Sequence, residues 1–211
     1  MILKRKLHLF SAMRIRHIYL VFCLSMLVHS IQSQWVQPGV MDSSFVEDLR
    51  YATPFNFTGK QLYPCARCFL RPEAAAALVK VQENLRDKGF GLRLYDCFRP
   101  ASVQKALWEE FPNPSYVTPP WKGSNHNRGL AVDVGLTDSC GVEYFMGSPF
   151  DHLGRKSHHD YTDLPREVLY RRTLLKEAME KEGFSSIRTE WWHYNFYQVK
   201  YPVDDFKWKC E

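Results

Sequence analysis

Two short stretches of the sequence hold side chains that can bind a metal ion. The first carries His126 and, seven residues later, Asp133, and the second is Glu190-Trp-Trp-His193. Two histidine nitrogens and one aspartate oxygen are a sufficient ligand set for a catalytic zinc, which leaves its fourth position to water or substrate. Zinc lowers the pKa of its water to about 7, and a nearby carboxylate can take the proton. These residue types point to a zinc hydrolase with Glu190 as the base.

Spacing alone leaves other interpretations open, since a single histidine is commonly structural. His158 and His159 form a second pair, but adjacent residues in an extended chain point apart, so we expect them at the surface. A nucleophile at Ser124 would need a turn such as G-x-S-x-G, which is absent there. Glu190 and His193 lie three residues apart, so they converge only if the strand bends or bulges between them.

The elements that position these groups follow from hydrophobic periodicity and from the placement of glycine and proline. Apolar residues that recur on one helical face predict helices, and alternation at period two predicts strands. Four prolines in residues 111–123 predict an irregular loop. The predicted helices cover residues 72–88, 101–111 and 165–182, and the predicted strands cover residues 91–97, 130–134, 142–146 and 184–197.

Asp133 projects from an apolar strand, on the face opposite Val132 and Val134. Arg99 lies where the strand over residues 91–97 ends. Strands and helices mix without regular alternation, which favours an α+β fold with a central antiparallel sheet flanked by helices. No internal repeat, low-complexity tract or long linker interrupts residues 34–211. We therefore predict one catalytic domain over this range.

Residues 1–33 have the pattern of a signal peptide. A basic opening precedes an apolar run of 11 residues, 18–28, which is too short to span a bilayer. This stretch holds five of the 28 basic residues and no acid, so residues 34–211 contain 23 basic and 23 acidic residues. We predict an exported protein, secreted or periplasmic after cleavage, with no nucleic-acid partner and no stable membrane partner. An uncleaved membrane anchor is the alternative.

Export makes the cysteines informative, because disulfides persist outside the cytosol. Residues 34–211 contain five cysteines, and two disulfides with one free or intermolecular thiol is the simplest accounting. Cys65 and Cys68 have the C-x-x-C spacing of redox and zinc-ribbon sites, but no second pair accompanies them. The sequence leaves the pairing open among Cys65, Cys68, Cys97, Cys140 and Cys210.

Two motifs together resemble those of a known family, the VanX-type D-alanyl-D-alanine dipeptidases. This family belongs to a wider zinc group with the D-Ala-D-Ala carboxypeptidases and the hedgehog domain. The pattern S-x-H-x-x-G-x-A-x-D is complete in residues 124–133, and E-x-W-H is complete in residues 190–193. The resemblance covers about residues 48–195 and implies an α+β fold. Further matching segments are residues 48–53, 56–59, 96–100, 146–151 and 157–159.

The resemblance implies a catalytic centre with one zinc per chain. His126, Asp133 and His193 match the zinc ligands, and Glu190 matches the general base that later protonates the leaving amine. Arg99 matches the arginine that stabilises the oxyanion of the tetrahedral intermediate, a task that suits a fixed positive charge.

The implied substrate is the free D-alanyl-D-alanine dipeptide, which is hydrolysed to two D-alanines. Asp151 matches the residue that holds the substrate ammonium group, and Ser124 and Tyr51 match residues that line the pocket. A blocked amine would leave the acid unpaired, so N-blocked peptides should be poor substrates. Two alternatives remain: a carboxypeptidase or endopeptidase on longer wall peptides, and a zinc-binding module without catalysis.

The predicted export distinguishes this chain from cytoplasmic members of the family. Outside the cytoplasm the enzyme cannot remove D-Ala-D-Ala from the cytoplasmic pool, as antibiotic resistance would require. We therefore expect a role in the breakdown of dipeptide derived from the cell wall.

Overall fold

A five-stranded sheet lies at the centre of the fold in the computed structural model, which describes residues 34–210. Along the sheet the strand order is β1-β2-β3-β5-β4. The strands are β1 (Val46–Glu47), β2 (Phe90–Asp96), β3 (Ala131–Asp138), β4 (Phe184–Ile187) and β5 (Glu190–Phe196). The predicted signal peptide, residues 1–33, lies outside the described residues.

Within residues 34–210, four helices accompany the sheet. They are α1 (Pro38–Met41), α2 (Pro72–Arg86), α3 (Ala101–Glu110) and α4 (Arg166–Lys181). The last three confirm the predicted helices with ends that agree to within two residues. No helix in this part of the chain combines the length and the apolar character needed to cross a bilayer.

Strand β3 separates the hydrophobic core from the candidate site. Val132 and Val134 are fully buried and share a core cluster with Leu78 of α2 and Leu175 of α4. Alternation along the strand sends Asp133 to the opposite face. The face predicted for Asp133 from the sequence is confirmed.

The strand register places three polar residues in one row across the sheet. Asp133 pairs with Asp96 on β2 and with His193 on β5. Neighbouring strands lie about 4.8 Å apart, so side chains in one row can contact each other. This row forms the base of the candidate site.

A bulge in β5 supplies the bend that Glu190 and His193 require. Ser186 pairs with Tyr194, but the next residue, Ile187, pairs with Glu190, so the register shifts between the two pairs. Extra residues in one strand of a ladder bend that strand and redirect its side chains. The Oε2 atom of Glu190 consequently lies 3.9 Å from Nδ1 of His193.

One strand pair departs from the predicted antiparallel sheet. Strand β1 pairs with β2 in parallel, whereas the other neighbouring strands are antiparallel. The chain passes from β1 through a long crossover that contains α2 before it enters β2, and such a crossover returns a strand in the same direction. Because β1 has two residues, its sequence shows no alternation that could have predicted it.

The segment 142–146 is not the strand that its sequence predicts. It contacts β3 through an isolated bridge between Thr137 and Glu143. Gly141 and Gly147 have φ values of 82° and 95° and turn the chain at both ends of the segment. The segment therefore contributes one bridge to the edge of β3 and no regular ladder.

Two disulfides, Cys65–Cys210 and Cys68–Cys97, confirm the predicted number of bridges. Cys140 is free and exposed. Cys65 and Cys68 therefore take separate partners, and the C-x-x-C pair is neither a redox disulfide nor part of a zinc ribbon. The two bridges join distant parts of the chain, across sequence separations of 145 and 29 residues.

Candidate metal centre and active site

His126 reaches the site from a short turn just before β3. Residues His126–Arg128 form one turn of 3-10 helix, and Gly129 follows with a φ of 68°. This left-handed backbone favours glycine, and a Cβ at Gly129 would lie 2.4 Å from the ring of Trp35. The turn brings the His126 imidazole to Asp133 on the strand that follows.

Three candidate ligand atoms face one another at the base of the site. His126 Nε2 lies 3.1 Å from His193 Nδ1 and 3.3 Å from Asp133 Oδ1, and His193 Nδ1 lies 3.0 Å from Asp133 Oδ1. A tetrahedral ion with bonds of 2.0–2.1 Å holds its ligand atoms about 3.3 Å apart. The His126, Asp133 and His193 side chains therefore fit a small divalent cation such as zinc.

Outer hydrogen bonds select the imidazole nitrogens that face the cation. Nδ1 of His126 donates to the backbone carbonyl of Cys97 at 2.7 Å. Nε2 of His193 donates at 3.0 Å to Oδ1 of Asn195, which also accepts a bond from Asn125 at 2.9 Å. These bonds leave Nε2 of His126 and Nδ1 of His193 with lone pairs directed at the candidate cation.

Asp133 supplies the negative charge of the ligand set. Burial opposes its ionisation, but His126 and His193 outweigh this effect and hold the pKa of Asp133 well below its usual range. An ionised carboxylate is the form that binds a metal. The chemical nature of the three donors and the distances between them therefore both fit a divalent cation.

Glu190 begins β5 and lies beside the ligand set, with 8% of its surface exposed. Burial raises the pKa of Glu190 to about 8, and the carboxylates of Asp133 and Asp151 raise it as well. His193 and Arg99 act in the opposite direction. A cavity with this concentration of carboxylates favours the binding of cations.

Arg99 is held rigidly at the edge of the ligand set. Its Nε and one terminal nitrogen donate to Oδ2 of Asp96 at 2.9 and 2.7 Å, and its other terminal nitrogen donates to Gln104 at 2.9 Å. The nitrogen that contacts Asp96 also lies 3.8 Å from Asp133. Tyr63 donates to the second Asp96 oxygen at 2.6 Å. The guanidinium group is thereby oriented before any substrate binds.

Asp151 lies in a strained backbone conformation on another wall of the site. Its φ is 60°, the one positive value at a non-glycine residue among residues 34–210. Tyr51 donates to its Oδ1 at 3.2 Å, while its Oδ2 is buried without a hydrogen-bond partner. Burial and then the nearby Asp133 raise the pKa of Asp151 to about 8. A buried carboxylate oxygen without a donor is costly until a cation or donor reaches it.

One cavity of about 280 Å³ joins these groups. This volume is just below the range of about 300–1,000 Å³ that is typical of small-molecule pockets. Every residue that the sequence predicts for the site lines the cavity, namely Tyr51, Arg99, Ser124, His126, Asp133, Asp151, Glu190 and His193. The size of the cavity favours a small substrate.

The structure does not support two other interpretations of the sequence, namely Ser124 as a nucleophile and the pair His158 and His159 at the surface. Ser124 Oγ accepts a bond from the backbone N–H of His126, whose ring nitrogens contact other groups, so the two do not form a nucleophile and base pair. His158 is buried and contacts Tyr116, and His159 is half-buried. The expected surface position of the histidine pair is wrong, because the chain after residue 154 folds back against α4 and β5.

Comparison with known proteins places these features in a family. Residues 34–209 match the family model described as D-ala-D-ala dipeptidase, peptidase M15. The chain belongs to this dipeptidase family. A D-alanyl-D-alanine dipeptidase of Escherichia coli is 38% identical over 164 residues, which cover 77% of this chain and 85% of the relative. One of Enterococcus faecalis is 34% identical over 176 residues, which cover 74% of this chain and 87% of the relative.

Among solved structures, the LdcB LD-carboxypeptidase aligns with 80% of this chain and 70% of its own chain. The TM-score is 0.44 and the sequence identity is 20%.

Sequence reasoning about this dipeptidase-family chain missed the residues that orient the site. Asp96 holds Arg99, the Cys97 carbonyl and Asn195 orient the two histidines, and Gln104 completes the contacts of Arg99. Asn195 carries a usable signal, because it lies two residues after His193 and so shares its face of the strand. The Cys97 carbonyl carries no such signal, since every residue has a backbone carbonyl.

Proposed function

We propose that this protein is a zinc D,D-dipeptidase that hydrolyses free D-alanyl-D-alanine to two D-alanines. The observation that carries the proposal is that one small cavity is lined by both the His-Asp-His ligand set and the buried carboxylate of Asp151. The relatives named D-alanyl-D-alanine dipeptidase support the choice of substrate.

His126, Asp133 and His193 would hold the zinc through two imidazole nitrogens and a carboxylate oxygen, a donor set that suits this ion. Bound zinc lowers the pKa of a water molecule to about 7 and polarises a carbonyl oxygen. Glu190, 3.9 Å from His193, takes the proton of the attacking water and passes it to the leaving amine.

Arg99 stabilises the carbonyl oxygen of the scissile amide as that oxygen gains negative charge. Asp96 and Gln104 fix the guanidinium group, so little reorganisation accompanies the reaction. Arginine also keeps its charge at any working pH. Arg99 therefore contributes electrostatic stabilisation without a proton transfer.

Asp151 binds the free ammonium group of the dipeptide. The ammonium group would bring a positive charge to Asp151 and a hydrogen-bond donor to its buried Oδ2 atom, which has no hydrogen-bond partner among the described residues. An acetylated amine keeps one N–H donor but carries no positive charge, and it also adds volume in a cavity of about 280 Å³. Tyr51 holds the other oxygen of Asp151, so the carboxylate has a fixed orientation. Both effects select free dipeptides over longer or blocked peptides.

The test is hydrolysis of D-Ala-D-Ala, L-Ala-L-Ala and N-acetyl-D-Ala-D-Ala by the protein beginning at Gln34, with and without a chelator. We expect cleavage of D-Ala-D-Ala that the chelator abolishes and that zinc restores. Comparable cleavage of the acetylated substrate would indicate a carboxypeptidase instead. A folded, zinc-loaded protein that cleaves none of the three would refute the enzymatic proposal.

We also propose that residues 1–33 direct export and that the protein degrades wall-derived dipeptide outside the cytoplasm. The basic and apolar pattern of the leader supports this proposal, as do the two disulfides, which persist in oxidising compartments. Cell fractionation with N-terminal sequencing tests it. We expect a mature form in the exported fraction that lacks the leader, and a full-length cytoplasmic protein would contradict the proposal.

A further inference from the structure

The Cys68–Cys97 disulfide lies directly behind the candidate metal centre. The Cys97 carbonyl accepts the bond from Nδ1 of His126 at 2.7 Å, and the side chain of the same residue is bonded to Cys68. Both cysteines are buried, with exposures of 0% and 1%. The acceptor that orients a ligand therefore belongs to a covalently cross-linked residue.

Cys97 begins a connector, residues 97–100, that links β2 to α3 without regular secondary structure. The connector and the turn that carries His126 share a second backbone contact, in which the Arg99 N–H donates to the His126 carbonyl at 3.1 Å. A third contact runs from the Asn127 side chain to the Arg99 carbonyl at 2.7 Å. Three hydrogen bonds thus hold the turn against the connector.

The segment that carries Cys68 holds both the connector and the turn. We call residues 68–71 the strap. On one side, the Phe98 N–H donates to the Phe69 carbonyl at 2.8 Å. On the other side, the Arg71 N–H donates to the carbonyl of Gly129, the residue that ends the His126 turn, at 3.0 Å. The disulfide is the covalent link between the strap and the connector.

We propose that the Cys68–Cys97 disulfide is a positioning element of the metal centre. By joining the strap to the connector, it holds the Cys97 carbonyl where Nδ1 of His126 must donate, which turns Nε2 toward the cation. Without the disulfide the connector gains freedom, and the imidazole must be ordered when the metal binds. The inference rests on the metal centre of the proposed function and concerns its affinity for the ion.

The second disulfide of the chain provides a matched control. Cys65–Cys210 closes a sequence separation of 145 residues, against 29 for Cys68–Cys97. A disulfide that closes the longer loop removes more entropy from the unfolded chain, so it should contribute more to global stability. The Cys65 carbonyl, in contrast, accepts a bond from Trp208 and not from a candidate ligand.

The experiment compares Cys68→Ala/Cys97→Ala with Cys65→Ala/Cys210→Ala in zinc affinity, measured by chelator competition, and in melting temperature. We expect the first variant to bind zinc about 10-fold more weakly, because disturbing the group that hydrogen-bonds to a metal ligand reduces metal affinity by about this factor. The zinc affinity of the control should stay within about twofold of that of the parent protein, because the Cys65 carbonyl accepts a bond from Trp208 and not from a candidate ligand. The melting temperature of the control should nevertheless fall further.

A second measurement separates positioning from stability. In the metal-free protein, NMR should show faster hydrogen exchange at Nδ1 of His126 in the first variant only. If that variant does not fold, Cys68→Ala alone leaves Cys97 in place and permits the same comparison. Equal zinc affinity in the two double variants would overturn the inference. A loss of zinc affinity that is proportional to the fall in melting temperature across the variants would overturn it as well. A parent protein that binds no zinc would instead refute the proposed function, and the inference with it.

Discussion

Replacing Asp151 with asparagine should weaken the enzyme and stabilise the protein. Asparagine keeps the size of the side chain and tolerates the φ of 60° at this position better than most residues. It removes the carboxyl group that we assign to binding of the substrate ammonium group, whose positive charge favours the ionised carboxylate in the complex. Loss of one partner in a buried ion pair costs about 2–5 kcal/mol. We therefore expect kcat/KM for D-Ala-D-Ala to fall by about 100-fold.

The stability gain follows from the pKa of Asp151, which burial raises from 3.8 to about 8. Between these values the unfolded chain is ionised and the folded chain is not, so stability falls as pH rises. At pH 7 this difference costs about 4 kcal/mol at 1.36 kcal/mol per pKa unit. The asparagine amide still loses about 1–3 kcal/mol on burial. The net gain for Asp151→Asn is therefore about 1–3 kcal/mol at pH 7.

The assays are steady-state kinetics on free and N-acetylated D-Ala-D-Ala, and urea unfolding of chelator-treated protein from pH 5 to 8. The advantage of Asp151→Asn in stability should increase over this range and level off above pH 8, where the folded carboxyl also ionises. Asp87→Asn, an exposed substitution of the same charge, is the control. Equal losses on the two substrates would refute the role in ammonium binding. A variant less stable than the parent at pH 8 would refute the electrostatic argument.

Four other substitutions test the rest of the site. Glu190→Ala and Arg99→Ala should each keep bound zinc and lose at least about 100-fold in kcat, because loss of a proton-transfer group or an oxyanion donor has an effect of this size. Unchanged turnover with zinc bound would remove that residue from the mechanism. His126→Ala should lose zinc in metal analysis, and a loaded, active variant would exclude His126 as a ligand. Asn195→Ala removes the hydrogen bond from Nε2 of His193 and should weaken zinc binding about 10-fold in chelator competition. Unchanged zinc affinity would show that this bond does not orient the ligand.

Local patterns in the sequence were sufficient for the three long helices and for the two faces of β3, but the one strand predicted over residues 184–197 is two strands, β4 and β5. The helix α2 follows from its proline start and apolar face, and the side of β3 that carries Asp133 follows from strict alternation. Both are properties of a few consecutive residues, because backbone geometry sets the period of each element. The ligand types followed from the two motifs for the same reason, since each motif lies within one short segment.

The alignment of the site depended on contacts between segments far apart in the chain. Alternation predicts which face of the strand Asp133 occupies. It does not predict that Asp133 pairs with His193, which lies 60 residues later in the chain. The bulge that turns Glu190 toward His193 arises from the pairing of β4 with β5, which neither strand encodes alone. Register is a property of two strands, so one segment could not reveal it.

The sequence by itself thus determined which residues can bind a metal, which face of its strand Asp133 occupies and how many disulfides form. Only the tertiary structure decided that Cys97 pairs with Cys68 and that its carbonyl orients His126. The same is true of Asn195, whose amide oxygen selects the nitrogen of His193 that faces the cation. The physical reason is that side-chain chemistry and periodicity are local, whereas hydrogen-bond partners and cross-links depend on distances that exist only after the chain has folded.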